Sequence, residues 1–77
     1  MCLTMKKKKL LVHFGKRVRQ IRREQKLSQE ELAEKAGVHR TYIGMIERAE
    51  KNITLLNIEK ICLALNENIS SMFTDWK

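Results

Sequence analysis

The stretch SQEELAEKAGVHRTYIGMIER, residues 28–48, decides how this chain is expected to fold. Ser28 and Glu31 form the pattern S-x-x-E, a capping box that marks the first turn of a helix. Gly37 follows where that helix must stop and the chain must reverse, because glycine adopts a positive φ angle at little cost. A further helix is expected from residue 39 or 40 to residue 48 or 49. The stretch therefore predicts two short helices joined by a tight turn.

The second of these helices presents polar side chains that a protein core would not accept. Arg40 and Thr41 lie at its start, and Arg48 lies about two turns beyond Thr41 on the same face. Ile43 and Ile46 are expected to point inward and to anchor the helix. This combination is typical of a helix-turn-helix, in which the second helix enters the major groove of DNA.

Outside this stretch, hydrophobic periodicity predicts three further helices, and the fold class is therefore all-α. A first helix is expected over residues 10–25, a fourth over 55–65, and a short fifth over 71–76 with Ser70 as its cap. The first helix has one apolar stripe, formed by Leu11, Phe14, Val18 and Ile21. The chain contains no proline and three glycines, a composition that favours helices.

The charge of the chain is positive and unevenly distributed. The 77 residues carry a formal net charge of +7. Residues 1–27 hold ten Lys/Arg and one acid, whereas residues 28–77 hold six Lys/Arg and eight acids. Such a basic balance indicates a polyanionic partner, most often nucleic acid. We expect residues 1–9 to be a flexible basic leader and residues 10–77 to be the folded domain.

Several functional classes find no support in the sequence. Cys2 and Cys62 are far apart, and no Cys/His cluster has the spacing of a metal site. Neither a catalytic triad, nor paired carboxylates, nor a glycine-rich phosphate loop is discernible, so an enzyme is not expected. The apolar run near the start is too short to span a membrane. We therefore expect a cytoplasmic protein without cofactor, metal, membrane partner or small-molecule ligand.

The helix-turn-helix segment resembles the lambda-repressor-like, or Cro/C1-type, family. With Gln29 as the first motif position, the required small, glycine and aliphatic positions are filled by Ala33, Gly37, Val38, Ile43 and Ile46. The resemblance extends over about residues 10–75 and implies a compact five-helix DNA-binding domain. Within the family, the segment HRTYIGMIER and the Asn52-Ile53-Thr54 that follows are similar to controller proteins of restriction–modification systems. That similarity implies a homodimeric transcription regulator that acts on palindromic operators, including the operator of its own gene.

The resemblance also implies which side chains meet double-stranded DNA. Arg40 is expected to read a base, since a guanidinium bridging guanine O6 and N7 is the commonest specific contact. Thr41 and Arg48 are expected to read bases as well, Arg48 near the edge of the half-site, with a phosphate contact or a solvated side chain as the alternative for each. The expected contacts to the DNA backbone are Gln29, His39, Tyr42, Lys51 and Asn52. For Tyr42 the alternative is packing against the core, and for Lys51 and Asn52 it is a solvated loop.

Two further roles concern structure and assembly. In the family, an arginine at the place of Arg22 pairs with a glutamate at the place of Glu47, although a direct DNA contact is the alternative for Arg22. A dimer interface is predicted near the end of the chain, together with part of the fourth helix, on apolar side chains that suit an interface core: Ile69, Met72, Phe73 and Trp76. Ile69 and Phe73 have an alternative role in closing the core of the monomer.

Two other functional classes remain open from the sequence. An antitoxin-type or phage-repressor-type protein, whose main partner is another protein, would share most of these residues. A basic amphipathic element over residues 5–25, binding membranes or calmodulin-like partners, would need its apolar stripe exposed. The sequence does not predict the operator sequence, the sign of regulation or the regulated genes. It also does not decide between Met1 and Met5 as the start, or whether residues 1–9 contact DNA.

Overall fold

The computed structural model describes residues 9–73, and within that range it contains five helices and no strand. The helices are α1 (Lys9–Glu24), α2 (Gln29–Ala36), α3 (Arg40–Glu47), α4 (Leu55–Leu65) and α5 (Ile69–Met72). The predicted all-α, five-helix fold is confirmed. The predicted leader lies outside the described residues except for Lys9, which begins α1.

The turn between α2 and α3 is formed as the sequence predicts. The Glu31 amide donates to Ser28 Oγ at 2.9 Å, and the Ser28 amide donates to Glu31 Oε1 at 2.8 Å. This reciprocal capping satisfies two amides that the first turn would otherwise leave unpaired. Gly37 ends α2 with φ 73°, in the left-handed region that favours glycine. The chain can therefore reverse directly into α3.

The core lies where α1, α2, α3 and α4 meet. Phe14, Val18 and Ile21 of α1 are buried, together with Leu32 of α2 and Ile43 of α3. The other members of the core are Ala33, Ala36, Ile46, Ile61, Cys62, Leu65 and Met72. The apolar stripe of α1 is thus used for folding, which removes the basis for an exposed membrane-binding or calmodulin-binding element. Burial and the nearby Glu67 raise the pKa of the Cys62 thiol, which keeps it protonated in the core.

α5 differs from its predicted position. We expected it over residues 71–76, but it begins at Ile69 after Asn68 and ends at Met72. α4 stops at Leu65 because Asn66 takes a left-handed conformation with φ 61°. The Ser71 hydroxyl, inside α5, lies within hydrogen-bond distance of Glu67 Oε1 at 2.9 Å and of the Asn68 carbonyl oxygen at 2.8 Å. With α5 in this position, Met72 is buried in the core.

Candidate nucleic-acid interface

α3 is held by one face and leaves the other face exposed. Ile43 and Ile46 are buried in the core, whereas Arg40 and Thr41 at the start of the helix are exposed. His39 caps the helix, because its Nδ1 accepts a hydrogen bond from the Thr41 amide at 3.1 Å. The structure thus brings Arg40 and Thr41 together at the exposed N-terminal end of α3.

Among residues 9–73, the Arg40 guanidinium has only a weak partner. Its Nη1 lies 3.8 Å from Glu30 Oε1, and the two side chains are 66% and 74% exposed. A pair with this exposure and length is worth at most about 1 kcal/mol. Arg40 can therefore exchange Glu30 for a base edge at little cost.

Arg48 lies at the other end of the α3 face. Its Nε pairs with Glu50 Oε2 at 3.0 Å, and its Nη1 lies close above Gly44. The Gln29 side chain also lies close, with its Oε1 3.6 Å from the place that a Cβ of residue 44 would occupy. Because Gly44 has no side chain, the side chains of Arg48 and Gln29 can both lie close to it.

A buried ion pair joins α1 to α3. Arg22 Nε and Nη2 donate to Glu47 Oε2 and Oε1 at 2.7 and 3.1 Å, and the two side chains are 11% and 4% exposed. Arg22 Nη1 donates to the Leu27 carbonyl oxygen at 2.8 Å. All three guanidinium nitrogens of Arg22 are thus bonded within the domain, which disfavours a direct contact of Arg22 with DNA.

Gln29 forms a contact that its motif position did not predict. Its Nε2 donates to Glu47 Oε1 at 3.0 Å, so that the Glu47 carboxylate receives hydrogen bonds from both Arg22 and Gln29. This joins the start of α2 to the end of α3. We name this arrangement the Arg22–Glu47–Gln29 cluster. A phosphate contact by Gln29 stays a prediction, and it would have to coexist with this bond.

The remaining predicted backbone contacts are Tyr42 on α3 and two residues of the loop between α3 and α4. Tyr42 is half-buried, and its hydroxyl accepts a hydrogen bond from Asn57 Nδ2 at 2.8 Å. Lys51 and Asn52 are exposed in the loop between α3 and α4. Asn57 was missed, because an asparagine in the first turn of a helix gives no local signal of a partner 15 residues away.

The predicted dimer surface needs correction. Met72 is fully buried in the core of its own chain, so its side chain is not available to a second copy. Phe73 is half-buried and stacks on Phe14 with ring centroids 5.5 Å apart, whereas Ile69 is exposed. Trp76 lies outside the described residues. The predicted interface role of Met72 conflicts with its burial. α5 begins two residues earlier than expected, and Met72 lies in the core of its own chain.

The exposed apolar side chains lie mainly on α4. Leu55, Leu56 and Leu63 are 73%, 70% and 72% exposed, and Ile69 follows them in the chain. We call these four residues the α4 leucine face. Leu56 and Leu63 are seven positions apart, which places them on one side of a helix. In the sequence, the apolar stripe of α4 is broader than a single core contact requires. This breadth was the signal that some of its apolar side chains would be exposed.

Most of the exposed cationic side chains among the described residues lie outside α3. Lys9, Lys16, Arg19 and Arg23 of α1 are exposed, and so is Lys51.

Within residues 9–73 there is no group of His, Cys, Asp or Glu that could hold a metal ion. No helix in the same range is long and apolar enough to cross a membrane.

Comparison with known proteins gives a consistent result. The family described as helix-turn-helix matches residues 18–71 of the chain. Control protein C.SmaI of Serratia marcescens is 46% identical over 61 residues, which cover 79% of this chain and 73% of that protein. Control protein C.BamHI of Bacillus amyloliquefaciens is 55% identical over 53 residues, which cover 68% of this chain and 65% of that protein.

A solved structure has the same arrangement of helices. The crystal structure of the restriction–modification controller protein C.AhdI from Aeromonas hydrophila aligns with a TM-score of 0.80 and 43% sequence identity. The alignment covers 82% of this chain and 96% of that chain. The similarity therefore extends beyond the turn to the packing of the whole described domain.

Proposed function

The chain belongs to the helix-turn-helix family of DNA-binding transcription regulators, and from that membership we propose that it is a controller protein of a restriction–modification system. In this proposal it binds a palindromic operator as a homodimer and regulates restriction–modification genes, including its own. The observation that carries the proposal is the rigid mounting of α3. Ile43 and Ile46 anchor the helix, and its N-terminal polar side chains are left exposed.

Sequence preference is assigned to the exposed end of α3. Arg40 leaves its weak pair with Glu30 and bridges the O6 and N7 atoms of a guanine. Thr41 contacts a neighbouring base, and Arg48 reaches the outer part of the half-site. The Arg22–Glu47–Gln29 cluster keeps α3 at a fixed angle to α1 and α2, so that these side chains enter the groove in one register.

Affinity is assigned largely to residues outside α3. The segment 28–48 holds three Lys/Arg and four acids, so it attracts DNA little by itself. The exposed cations of α1 and Lys51 supply the long-range field, while His39, Tyr42 and Asn52 contact the sugar–phosphate backbone. Such contacts position a protein on the duplex without reading sequence.

A second subunit completes the reading surface. Two copies related by a two-fold axis would place their reading helices about 34 Å apart, one turn of DNA. The α4 leucine face is the exposed apolar surface that supports this dimer, since large exposed apolar side chains, three of them on α4 and Ile69 on α5, are typical of interaction sites. A toxin or other protein bound to the same face would instead make the chain an antitoxin-type regulator.

Selection of bound duplexes from random DNA would test the proposed function. We expect enrichment of a site with two-fold symmetry whose half-sites are centred one helical turn apart. Insertion of five base pairs between the half-sites should abolish tight binding, because it rotates one half-site to the opposite side of the duplex. Failure to enrich any sequence, or enrichment of an asymmetric one, would contradict the proposal.

A further inference from the structure

The hydrogen bond between Asn57 and Tyr42 has a defined direction. Asn57 Nδ2 is the donor and Tyr42 Oη the acceptor, at 2.8 Å. A tyrosine hydroxyl carries one hydrogen and can also accept. Because the hydrogen of this bond comes from the asparagine amide, the hydrogen of the Tyr42 hydroxyl is not used in it. The hydroxyl can therefore donate to a second acceptor.

Both partners of this bond are held in place. The Tyr42 ring packs against the core from α3, and the Asn57 backbone amide donates to Thr54 Oγ1 at 3.2 Å in the first turn of α4. The hydroxyl thus lies beside the N-terminal end of an 11-residue helix. The helix dipole makes that end positive, and an anionic acceptor is favoured there.

We propose that Asn57 is a positioning residue for DNA binding. By donating to Tyr42 Oη, it keeps the hydroxyl hydrogen available for a DNA phosphate oxygen at the side of α3 that faces α4. This inference rests on the proposed function and adds a residue to it. If an acceptor replaced the Asn57 amide nitrogen, the Tyr42 hydroxyl would donate its hydrogen to that acceptor. It could then no longer donate the same hydrogen to the phosphate.

The test is a double-mutant cycle on the affinity of the full chain for its selected operator. Tyr42→Phe should weaken binding about tenfold, the effect of losing one hydrogen bond to a charged acceptor. Asn57→Asp should weaken binding by a similar factor, because its carboxylate accepts from the Tyr42 hydroxyl. Asn57→Ala should have a smaller effect, since it leaves that hydroxyl free to rotate. In the Tyr42→Phe background, Asn57→Asp should then change the affinity little.

Two controls separate this effect from added charge and from unfolding. Asn68→Asp adds the same charge at the exposed N-cap of α5, where the asparagine side chain makes no capping hydrogen bond that would be lost, and it should bind DNA like the unmodified chain. Urea unfolding gives the folded fraction of each variant. The inference is wrong if Asn57→Asp binds normally, or if it loses the same factor in the Tyr42→Phe background. An unmodified chain that selects no operator would instead refute the proposed function.

Discussion

At the scale of single residues, Arg40 and Lys51 are proposed to make two different kinds of DNA contact. Arg40 lies at the start of α3 with only the weak pair to Glu30, whereas Lys51 lies in the exposed loop after α3. A guanidinium at a base edge discriminates among sequences, while an ammonium at a phosphate attracts every duplex equally. Substitution of these two residues should therefore have different consequences.

Arg40→Ala is expected to reduce sequence preference. The loss of a bidentate guanine contact should reduce discrimination at one base pair by about 1–3 kcal/mol. Lys51→Ala is the matched control, and it should weaken all sequences alike and lower the slope of log affinity against log salt by about 1. Competition between operator and random duplex in gel shifts measures both effects. Unchanged preference in Arg40→Ala would refute its assignment as a base reader.

At the scale of helices, the Arg22–Glu47–Gln29 cluster connects three elements. It joins α1, the start of α2 and the end of α3 through one buried carboxylate. Removal of Glu47 would leave the Arg22 guanidinium buried with only the Leu27 carbonyl as acceptor. The cluster therefore bears on stability first and on DNA contact second.

Glu47→Ala is expected to lower the free energy of unfolding by about 3–5 kcal/mol, the usual result of breaking a buried pair from one side. The control is Glu34→Ala, which removes an exposed glutamate of α2 and should change stability by less than about 0.5 kcal/mol. Urea midpoints of the two variants and the unmodified chain give the comparison. Equal midpoints for Glu47→Ala and the unmodified chain would show that the pair contributes nothing.

The contact of α1 with α3 depends on Gly15. A Cβ at this position would clash with the Ile46 carbonyl oxygen and lie 3.0 Å from that of Glu47. Both atoms belong to backbone, so the helices would have to move apart to accept a side chain. Gly15 thus sets how closely α1 approaches the reading helix.

Gly15→Ala is accordingly expected to destabilise the domain by about 1–3 kcal/mol, the range for inserting a methyl group into a packed core. In an open helix the same substitution would stabilise by up to about 1 kcal/mol, so the sign of the change is diagnostic. Thermal unfolding followed by circular dichroism measures it. A raised midpoint would indicate that α1 and α3 are less closely packed than described here.

At the scale of the whole molecule, the α4 leucine face and the reading face of α3 belong to different parts of the domain. Leu56 and Leu63 project from α4 on the side away from the buried Ile61 and Leu65. Five large apolar side chains are exposed among the described residues, the four of this face and Leu10, which favours association with a partner. We propose that the dimer forms through this face.

Leu63→Glu is expected to produce monomers at concentrations at which the unmodified chain sediments as a dimer. A buried, unpaired carboxylate would oppose association strongly. Gln20→Glu, on the exposed side of α1, adds the same charge outside the leucine face and should leave the dimer intact. Sedimentation velocity at micromolar concentration decides the matter, and a dimeric Leu63→Glu variant would exclude this face as the interface.

Local features of the chain were predictable because their physical causes act over a few residues. The Ser28–Glu31 capping box, the positive φ of Gly37 and the periodic stripe of α1 each depend on neighbours within about one or two helical turns. Such patterns indicated the first four helices and the exposed N-terminal end of α3, whereas they placed the start of α5 two residues too late.

Contacts between distant segments were decided only by the tertiary structure. Four contacts join residues that no periodic pattern relates. They are the packing of Met72 in the core, the hydrogen bond from Asn57 to Tyr42, the hydrogen bond from Gln29 to Glu47, and the close approach of Gly15 to the backbone of α3. Each depends on the distance and angle at which two helices pack, to within a fraction of an ångström. The sequence by itself thus determined which helices form and which face of α3 is exposed, whereas packing determined which side chains hold α3 in place, because close contacts between helices depend on their geometry in three dimensions.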